Sequence, residues 1–386
     1  MKRISEREQE LPDSMLGMLS EIASEHKEII SISVGEPDFD APKPVIDAVK
    51  KAANNYKKNQ LSHYSPHSGR SDLKEAIIKK LRKENKISAR KENILVTCGS
   101  QEAIFAGLLS TLDPSEEIIL SNPGYLGYIP AIELVNANPV YIKLEEENNF
   151  EIEPDKIREA INKKTQVILI NTPSNPTGNV ISKKILEEIA DIAREYDLYI
   201  FCDEAYEKLI YDKKHFSIGS LNGMEDYVVS FYTFSKSYAM CGFRLGYAVG
   251  PKDLIEAMAK TAQYMTLSPP TISQLIGLEA LKMSNKYIEA MRKEYDERRR
   301  FIVKRLNEIG LRTKMPNGAF YTFSNIKDVT KKNSHDFALD LLRKAKVAVV
   351  PGSEFGEYGE GYIRGSYAAK LPLIKEAMNR IEKYLK

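Results

Sequence analysis

Short apolar runs rich in β-branched residues alternate along the middle of the chain with longer segments whose apolar positions recur every three or four residues. The short runs predict strands at Ile94–Thr97, Glu117–Leu120, Val140–Ile142, Val167–Asn171, Leu198–Cys202, Val228–Tyr232 and Gly246–Val249. The longer segments predict helices, and in Lys183–Tyr196 the side chains of Ile185, Ile189 and Ile192 share one face. Strands that are apolar on both faces and separated by helices indicate a mostly parallel sheet between helices.

Helical periodicity dominates the chain after about residue 252. It predicts helices at Asp253–Ala262, Ile272–Met283 and Asn285–Ile309, then strands near Phe320–Phe323 and Val347–Val350, and a closing helix from Leu371. The first forty or so residues are too few for a domain of their own. We therefore expect a large domain over residues 46–285 and a smaller α+β domain formed by residues 1–45 and 286–386.

Composition narrows the classes of function. The chain has 386 residues, of which 42% are hydrophobic and 28% charged, as is typical of a folded protein. Lysine and arginine number 56 against 54 acidic residues, so no overall basic field favours nucleic acid or an anionic membrane as a partner. The charged N-terminus lacks the apolar core of a secretion signal, and we expect a cytoplasmic protein. The three cysteines have neither metal-site nor disulfide spacing, and no metal is expected.

A lysine stands out just beyond the predicted strand Val228–Tyr232. Lys236 is flanked by the hydroxyl side chains of Thr233 and Ser235, and Arg244 follows eight positions later. A lysine amine that is kept partly unprotonated can form a Schiff base with an aldehyde. The hydroxyls and the arginine could hold a phosphate. A lysine in a solvated loop is the alternative interpretation.

Two other predicted strands are followed by polar residues that could bind a ligand. Asp203 follows the strand Leu198–Cys202, and a carboxylate at the edge of a core needs a cation or an N–H group. A protonated pyridine nitrogen would serve, and the N-cap of a following helix is an equally good interpretation. Asn175 lies in the turn of two prolines and a glycine after the strand Val167–Asn171, where it could donate to a phenolate or a carboxylate.

Two other segments could bind anions. After a strand, Gly99, Ser100 and Gln101 lead into a helix, an arrangement that points backbone N–H groups at an anion but is common in proteins. It is neither a Walker loop nor a GxGxxG motif, so ATP and NAD are not expected. Arg364 lies in a glycine-rich segment, where its guanidinium could bind a carboxylate with two hydrogen bonds. A surface salt bridge is the alternative for Arg364.

Ten segments, in order, resemble the class I and II aminotransferases of the pyridoxal-phosphate fold type I superfamily. They read SVGEPDFDAP, HYSPHSG, TCGSQEA, NPGYLGY, NTPSNPTG, CDEAYEKLIY, FSKSYAMCGFRLGY, NGAFY, VPGSEFG and YIRGSYA. The likeness is to the bacterial and archaeal branch with aspartate, aromatic and alanine-type enzymes, and it covers nearly the whole chain. It implies an α/β fold, with a seven-stranded, mostly parallel sheet in the large domain, and pyridoxal 5′-phosphate (PLP) as the cofactor.

The resemblance also implies roles for single residues. Lys236 would form the Schiff base with PLP and move the proton during catalysis, and Asp203 would pair with the pyridine nitrogen. Tyr206 and Asn175 would bind the phenolic oxygen, and Tyr125 would stack on the ring. The phosphate would be bound by Ser100, Gln101, Thr233, Ser235 and Arg244, with Tyr64 reaching it from the neighbouring subunit of a homodimer. The substrate carboxylate would be bound by Arg364, Gly35 and Asn175, and the Asn175–Pro176 bond would be cis.

The resemblance leaves the substrate open. Relatives specific for aspartate commonly carry lysine where this chain has the neutral Gln101, so aromatic, neutral and aspartate-type donors all remain. Relatives often carry tryptophan at Phe243, and some carry it at Tyr125, but any aromatic ring can stack. The predicted reaction moves the amino group of an L-amino acid to a 2-oxo acid such as 2-oxoglutarate by a ping-pong mechanism. A PLP-dependent lyase acting by β-elimination, or a decarboxylase on the same fold, is the alternative.

Overall fold

The computed structural model describes residues 3–9, 11 and 14–386. Its strands are β1 (Ile30–Ser31), β2 (Ile94–Thr97), β3 (Glu117–Asn122), β4 (Asn138–Lys143), β5 (Thr165–Asn171), β6 (Tyr199–Asp203), β7 (Val228–Thr233), β8 (Gly246–Val249), β9 (Arg312–Thr313), β10 (Tyr321–Asn325), β11 (Val347–Ala348), β12 (Val350–Pro351) and β13 (Tyr362–Ser366). Its α-helices are α1 (Glu6–Gln9), α2 (Met15–Glu25), α3 (Lys43–Asn54), α4 (Ser71–Lys80), α5 (Ser100–Thr111), α6 (Tyr128–Leu134), α7 (Pro154–Ala160), α8 (Lys183–Tyr196), α9 (Phe234–Ser237), α10 (Lys252–Thr266), α11 (Thr271–Lys282), α12 (Lys286–Glu308), α13 (Ser334–Asp340) and α14 (Leu371–Leu385).

The seven predicted strands of the middle of the chain form one sheet in the order β2-β8-β7-β6-β5-β3-β4. Neighbours are parallel except at β8, which runs antiparallel to both β2 and β7. This confirms the predicted seven-stranded, mostly parallel sheet. Predicted and observed bounds differ by no more than two residues, and β6 ends on Asp203 itself rather than before it.

Helices cover both faces of this sheet because successive side chains of a strand point to opposite faces. Ile200 of β6 packs in a core with α8, while Phe201 packs on the other face against α5. The contact with α5 is close, since a Cβ atom on Gly107 would lie 2.9 Å from the Phe201 ring. Helix α8 has the predicted bounds, and the Ser182 hydroxyl caps it by accepting from the N–H of Ile185 at 3.4 Å.

A second, smaller sheet has the order β12-β13-β10-β9, with antiparallel neighbours, and lies in the C-terminal part of the chain. The single strand predicted over Val347–Val350 is wrong. Residues Val347–Ala348 pair with β1, whereas Val350–Pro351 form the edge strand of the smaller sheet. The split arises because the chain changes pairing partners at Val349, and Pro351, which has no N–H group, suits an edge strand.

The N-terminal segment packs with the C-terminal part of the chain. Strand β1 runs parallel to β11, and Met15 and Leu19 of α2 share a core with Ile374 and Met378 of α14. The proposed domain boundaries at residues 45 and 285 stay a prediction. None of the helices in the described part of the chain is long and apolar enough to cross a membrane.

The carboxyl ends of the parallel strands meet at one edge of the sheet, where the predicted site residue Asp203 lies. Asn171 and Asp203 are neighbours at the ends of β5 and β6, and Asp203 also pairs with Phe231 of β7, two residues before that strand ends. Gly246 of β8 pairs with both Thr97 and Thr233. It must be glycine for the turn at Gly99 to approach, because a Cβ atom on Gly246 would lie 2.5 Å from Gly99. Ligands of open α/β sheets bind in the crevice beyond such carboxyl ends.

Candidate active site

A cavity of about 350 Å³ lies at the carboxyl edge of the large sheet and extends to β10 and β13 of the smaller one. All but one of the predicted site residues line it, namely Gly35, Ser100, Gln101, Tyr125, Asn175, Asp203, Tyr206, Thr233, Ser235, Lys236, Arg244 and Arg364. Tyr64 does not, and its side chain is 80% exposed on the surface. Residues from distant parts of the chain therefore meet in one site.

Lys236 is carried into the cavity by the turn that follows β7. The Thr233 hydroxyl accepts from the N–H of Ser235 at 3.1 Å and caps the four-residue helix α9, in which Lys236 is the third residue. The Lys236 amine donates to the Gly35 carbonyl at 2.6 Å, and the side chain is half-buried. The solvated-loop interpretation of this lysine is therefore wrong. The hydroxyls of Thr233 and Ser235, 3.0 Å apart, form part of the same wall.

Asp203 places a buried carboxyl group in the wall of the same cavity. One oxygen, Oδ2, accepts from the Tyr128 hydroxyl at 2.6 Å, and Oδ1 accepts from the N–H of Ala205 at 3.1 Å. The backbone continues in a turn rather than a helix, so the helix N-cap interpretation is wrong. Burial raises the pKa of Asp203, which the Tyr128 bond and the charge of Lys236 partly oppose. A cation in the cavity would stabilise this group as a carboxylate.

Arg364 is a buried cation without a carboxylate partner in the described part of the chain. Its side chain is 1% exposed and donates to Asn175 Oδ1 at 3.1 Å and to the Ser33 carbonyl at 2.5 Å. The guanidinium lies 4.4 Å from the centre of the Tyr321 ring, its Nε has no partner, and burial lowers its pKa. The surface salt-bridge interpretation is therefore wrong. A buried guanidinium that faces a cavity with only neutral partners can bind an incoming carboxylate.

A second anion site lies at the start of α5. Gly99 adopts φ +95°, a conformation that favours glycine, and the helix begins at Ser100 with its N–H groups free of helical partners. The exposed Arg244 donates to the carbonyls of Cys241 at 3.0 Å and Cys98 at 3.4 Å. A Cβ atom on Gly99 would lie 2.9 Å from Arg244 Nη2. Helix terminus and guanidinium together suit a phosphate group.

Tyrosine side chains close the remaining walls. The hydroxyls of Tyr206 and Tyr321 are 2.8 Å apart, and burial raises the pKa of Tyr206 well above its usual value. Burial also raises the pKa of Tyr125 to about 12, and its ring packs edge-on against Tyr128 with 5.2 Å between centroids. The hydroxyls of Tyr206 and Tyr125 therefore stay protonated near neutral pH and can donate hydrogen bonds.

Sequence reasoning missed Tyr128 and Tyr321. Both lie in segments quoted for the resemblance, NPGYLGY and NGAFY, but neither was given a role. Their partners, Asp203 and Tyr206, are 75 and 115 positions away, so only the three-dimensional structure brings them together. The predicted cis bond between Asn175 and Pro176 is confirmed, and the bonds before Pro123 and Pro173 are also cis.

Known proteins match this chain over almost its whole length. The family "Aminotransferase class I and II" matches residues 27–381. An aspartate aminotransferase of Pyrococcus abyssi is 44% identical over 377 residues, which cover 97% of this chain and 96% of that protein. The aromatic-amino-acid aminotransferase 2 of Thermococcus litoralis is 42% identical over 387 residues, covering 99% and 98%.

Solved structures agree with these matches. The aromatic aminotransferase from Pyrococcus horikoshii aligns with a TM-score of 0.90 at 42% identity, covering 95% of this chain and 98% of that one. The matches support the predicted transaminase and give no support to the lyase or decarboxylase alternative. The chain therefore belongs to the class I and II aminotransferases, a family that implies PLP as cofactor and amino acids and 2-oxo acids as substrates.

Proposed function

We propose that this transaminase binds PLP at Lys236 and moves the amino group of an L-amino acid with an aromatic or neutral side chain to a 2-oxo acid in a ping-pong cycle. One observation carries this proposal. Lys236, Asp203 and Arg364 line the same cavity, and Arg364 is a buried cation for which the described residues provide no carboxylate. An amine, an acid and a carboxylate-binding cation are the groups that amino-group transfer requires.

The side chains around the cavity fit PLP group by group. Asp203 suits a protonated ring nitrogen, and the protonated hydroxyl of Tyr206 suits the phenolic oxygen, with Asn175 beside it. Tyr125 offers an aromatic face, and Arg244 with the start of α5 suits the phosphate. When bound, PLP supplies an electron-withdrawing ring that weakens the bond between the substrate's Cα and its hydrogen.

Each residue around the cavity would have its own role in the reaction. Arg364 binds the α-carboxylate of the substrate, and this contact fixes the position of Cα near the Lys236 amine. Lys236 would take the proton from Cα as general base and deliver it, as general acid, to C4′ of PLP rather than back to Cα. Asp203 would hold the proton on the ring nitrogen, and Tyr206 would donate to the phenolic oxygen.

The donor preference rests on the charges in the cavity. Among the described residues that line it, the cations are Lys236, Arg244 and Arg364, and each already has a partner in this proposal. Leu16 and Ile104 add apolar surface, and Gln101 adds a neutral amide. A side chain with a second carboxylate finds no free cation on this subunit, whereas apolar or aromatic side chains can be buried. Spectral half-reactions with twenty amino acids would rank the donors, and a preference for aspartate would contradict this part of the proposal.

We also propose a homodimer in which Tyr64 reaches the phosphate of the neighbouring site. Tyr64, Tyr264 and Leu267 are 80%, 85% and 43% exposed. They lie in adjacent segments, because the Ser65 hydroxyl donates to the Pro269 carbonyl at 3.0 Å. Exposed large apolar side chains grouped in this way are typical of protein interfaces. Sedimentation equilibrium of the holoenzyme tests the dimer, and a monomer that binds PLP tightly would contradict it.

The experiment that tests the cofactor role is reduction by borohydride followed by peptide mapping. We expect one peptide to carry the reduced cofactor at Lys236, and Lys236→Ala to lose both this label and nearly all turnover. Lys184→Ala is a suitable control, because that side chain is 87% exposed and does not line the cavity. A label on a different lysine, or a fully active Lys236→Ala variant, would overturn the proposal.

A further inference from the structure

Behind the buried carboxyl group of the cavity lies a tyrosine that does not itself line the cavity. Tyr128 is the first residue of α6 and is 2% exposed. Its hydroxyl donates to Asp203 Oδ2 at 2.6 Å, while Oδ1 of the same carboxyl group accepts from the N–H of Ala205. Each oxygen of Asp203 therefore has one donor from the protein, and lone pairs remain for a donor in the cavity.

The hydrogen bond from Tyr128 to Asp203 is one of the few interactions that favour the ionised form of this carboxyl group. Burial disfavours the carboxylate, and so does the neighbouring Glu204, whereas Lys236, the Ala205 N–H and the Tyr128 hydroxyl favour it. Burial and the charge of Asp203 raise the pKa of Tyr128 well above its usual value, so the hydroxyl keeps its proton and remains a donor. Tyr128 thus makes Asp203 a weaker base than its burial alone would.

We propose that Tyr128 is a positioning residue of the reaction. Its hydroxyl holds Asp203 in place and lowers the proton affinity of the carboxylate, so that the proton shared with PLP resides on the ring nitrogen rather than on Asp203. This inference rests on the proposed PLP site. It concerns the location of one proton, since a carboxylate that is too basic takes the proton and leaves the ring neutral and less electron-withdrawing.

The geometry allows the hydroxyl to be tested apart from the ring. The Tyr128 ring packs edge-on against Tyr125, at 81° between ring planes, and this contact survives in a Tyr128→Phe variant. Tyr367→Phe is the matched control. Tyr367 is 0% exposed, and its hydroxyl donates to the Ala319 carbonyl at 3.2 Å, so the control also loses one buried hydroxyl but not one bonded to Asp203.

The test uses holoenzyme loaded with PLP carrying ¹⁵N at the ring nitrogen, whose chemical shift reports protonation directly. In the unchanged enzyme we expect the shift of a protonated nitrogen near neutral pH. In Tyr128→Phe we expect it to move toward the value of a neutral nitrogen, because a bond to a charged acceptor corresponds to about a tenfold change in the ratio of the two proton positions. We expect Tyr367→Phe to keep the original shift, and Tyr128→Phe to lower kcat more than it raises KM.

A second variant covers the case in which Tyr128→Phe does not fold. Replacing Tyr128 by 3-fluorotyrosine preserves the side-chain shape and makes the hydroxyl a stronger donor, so the ring nitrogen should keep its proton to a higher pH than in the unchanged enzyme. An unchanged ¹⁵N shift in Tyr128→Phe, or an unchanged pH of nitrogen deprotonation in the 3-fluorotyrosine variant, with PLP retained, would overturn the role of Tyr128 while leaving the PLP site intact. Failure of the unchanged enzyme to retain PLP would instead overturn the proposed function on which this inference rests.

Discussion

Arg299 and Arg364 are almost equally buried, at 0% and 1% exposed, but their surroundings differ. Arg299 lies in α12 and donates from Nε to Asp296 at 2.8 Å and from Nη2 to Asp212 at 2.7 Å. Its Nη1 donates to the Pro316 carbonyl at 2.6 Å. Each nitrogen of this guanidinium thus has an acceptor, and two of the acceptors are carboxylates.

Arg364 has only neutral acceptors, Asn175 Oδ1 and the Ser33 carbonyl, and its Nε has none. Leaving a buried charge without an opposite charge destabilises a folded protein, so such an arrangement is expected where a ligand supplies the missing charge. Burial of an arginine therefore does not by itself indicate a ligand-binding site. A buried arginine that faces a cavity and lacks an opposite charge does indicate one.

The comparison predicts its largest effect for Arg364→Ala. We expect amino acid binding to weaken by about 100-fold or more, whatever the substrate side chain, because two charge-assisted hydrogen bonds of about 1.5–3 kcal/mol each are lost. The dissociation constant is read from the change in the PLP absorption on adding amino acid. Thermal unfolding should not shift downward, since an uncompensated buried charge is removed. Unchanged affinity combined with lower stability would break the comparison.

The opposite result is expected for Arg299→Met. This variant should lose about 2–3 kcal/mol of unfolding free energy in urea, below the value for a fully buried pair, because Asp212 is 51% exposed and keeps its water. Amino acid affinity should stay within about twofold of the original. If Arg299→Met instead weakened substrate binding as strongly as Arg364→Ala, the distinction between the two arginines would fail.

Arg364→Lys sharpens the comparison by keeping the charge and removing the planar guanidinium. Lysine is a point charge that cannot bind a carboxylate through two parallel N–H groups. We expect affinity for amino acids to fall by about tenfold, between the original enzyme and Arg364→Ala. Titration of the three proteins with the same amino acid measures this order, and a lysine variant as weak as the alanine variant would show that charge alone contributes nothing.

The smallest effect is expected for Gly35→Ala. A Cβ atom at Gly35 would lie 2.8 Å from the Tyr321 hydroxyl, and the Tyr321 ring packs against the Arg364 guanidinium. Displacing the tyrosine should disturb the carboxylate site by about 1 kcal/mol, a several-fold loss of affinity. Gly17→Ala is the control, because a Cβ atom there meets no other atom within 4 Å. Equal affinities of the two variants would contradict the link through Tyr321.

Much of the fold could be predicted because its signals are local. The strands of the large sheet have apolar runs of their own, and α8 has an amphipathic pattern with a capping serine. The pairing of β11 with β1 could not be predicted, since it joins Val347 to Ile30 across most of the chain. Pairing between strands so far apart in sequence depends on which strands the tertiary structure brings close together.

The same difference between local and long-range signals decides which parts of the candidate site could be predicted. Lys236, Asp203 and Arg364 could be recognised because each lies in a distinctive segment. That Arg364 lacks a carboxylate partner is a property of the folded environment, and no sequence pattern distinguishes it from Arg299 in this respect. The hydrogen bond between Tyr206 and Tyr321 could not be predicted from the sequence for the same reason.

The N-terminal backbone between residues 33 and 35 is held at both ends by cations of the cavity. The Ser33 carbonyl accepts from Arg364, and the Gly35 carbonyl accepts from Lys236. A carboxylate arriving at the first cation and an aldehyde at the second would each compete for one of these anchors. We therefore expect hydrogen–deuterium exchange of the amides in this short stretch to change when a ligand binds. Their exchange rate would then report whether the cavity is occupied.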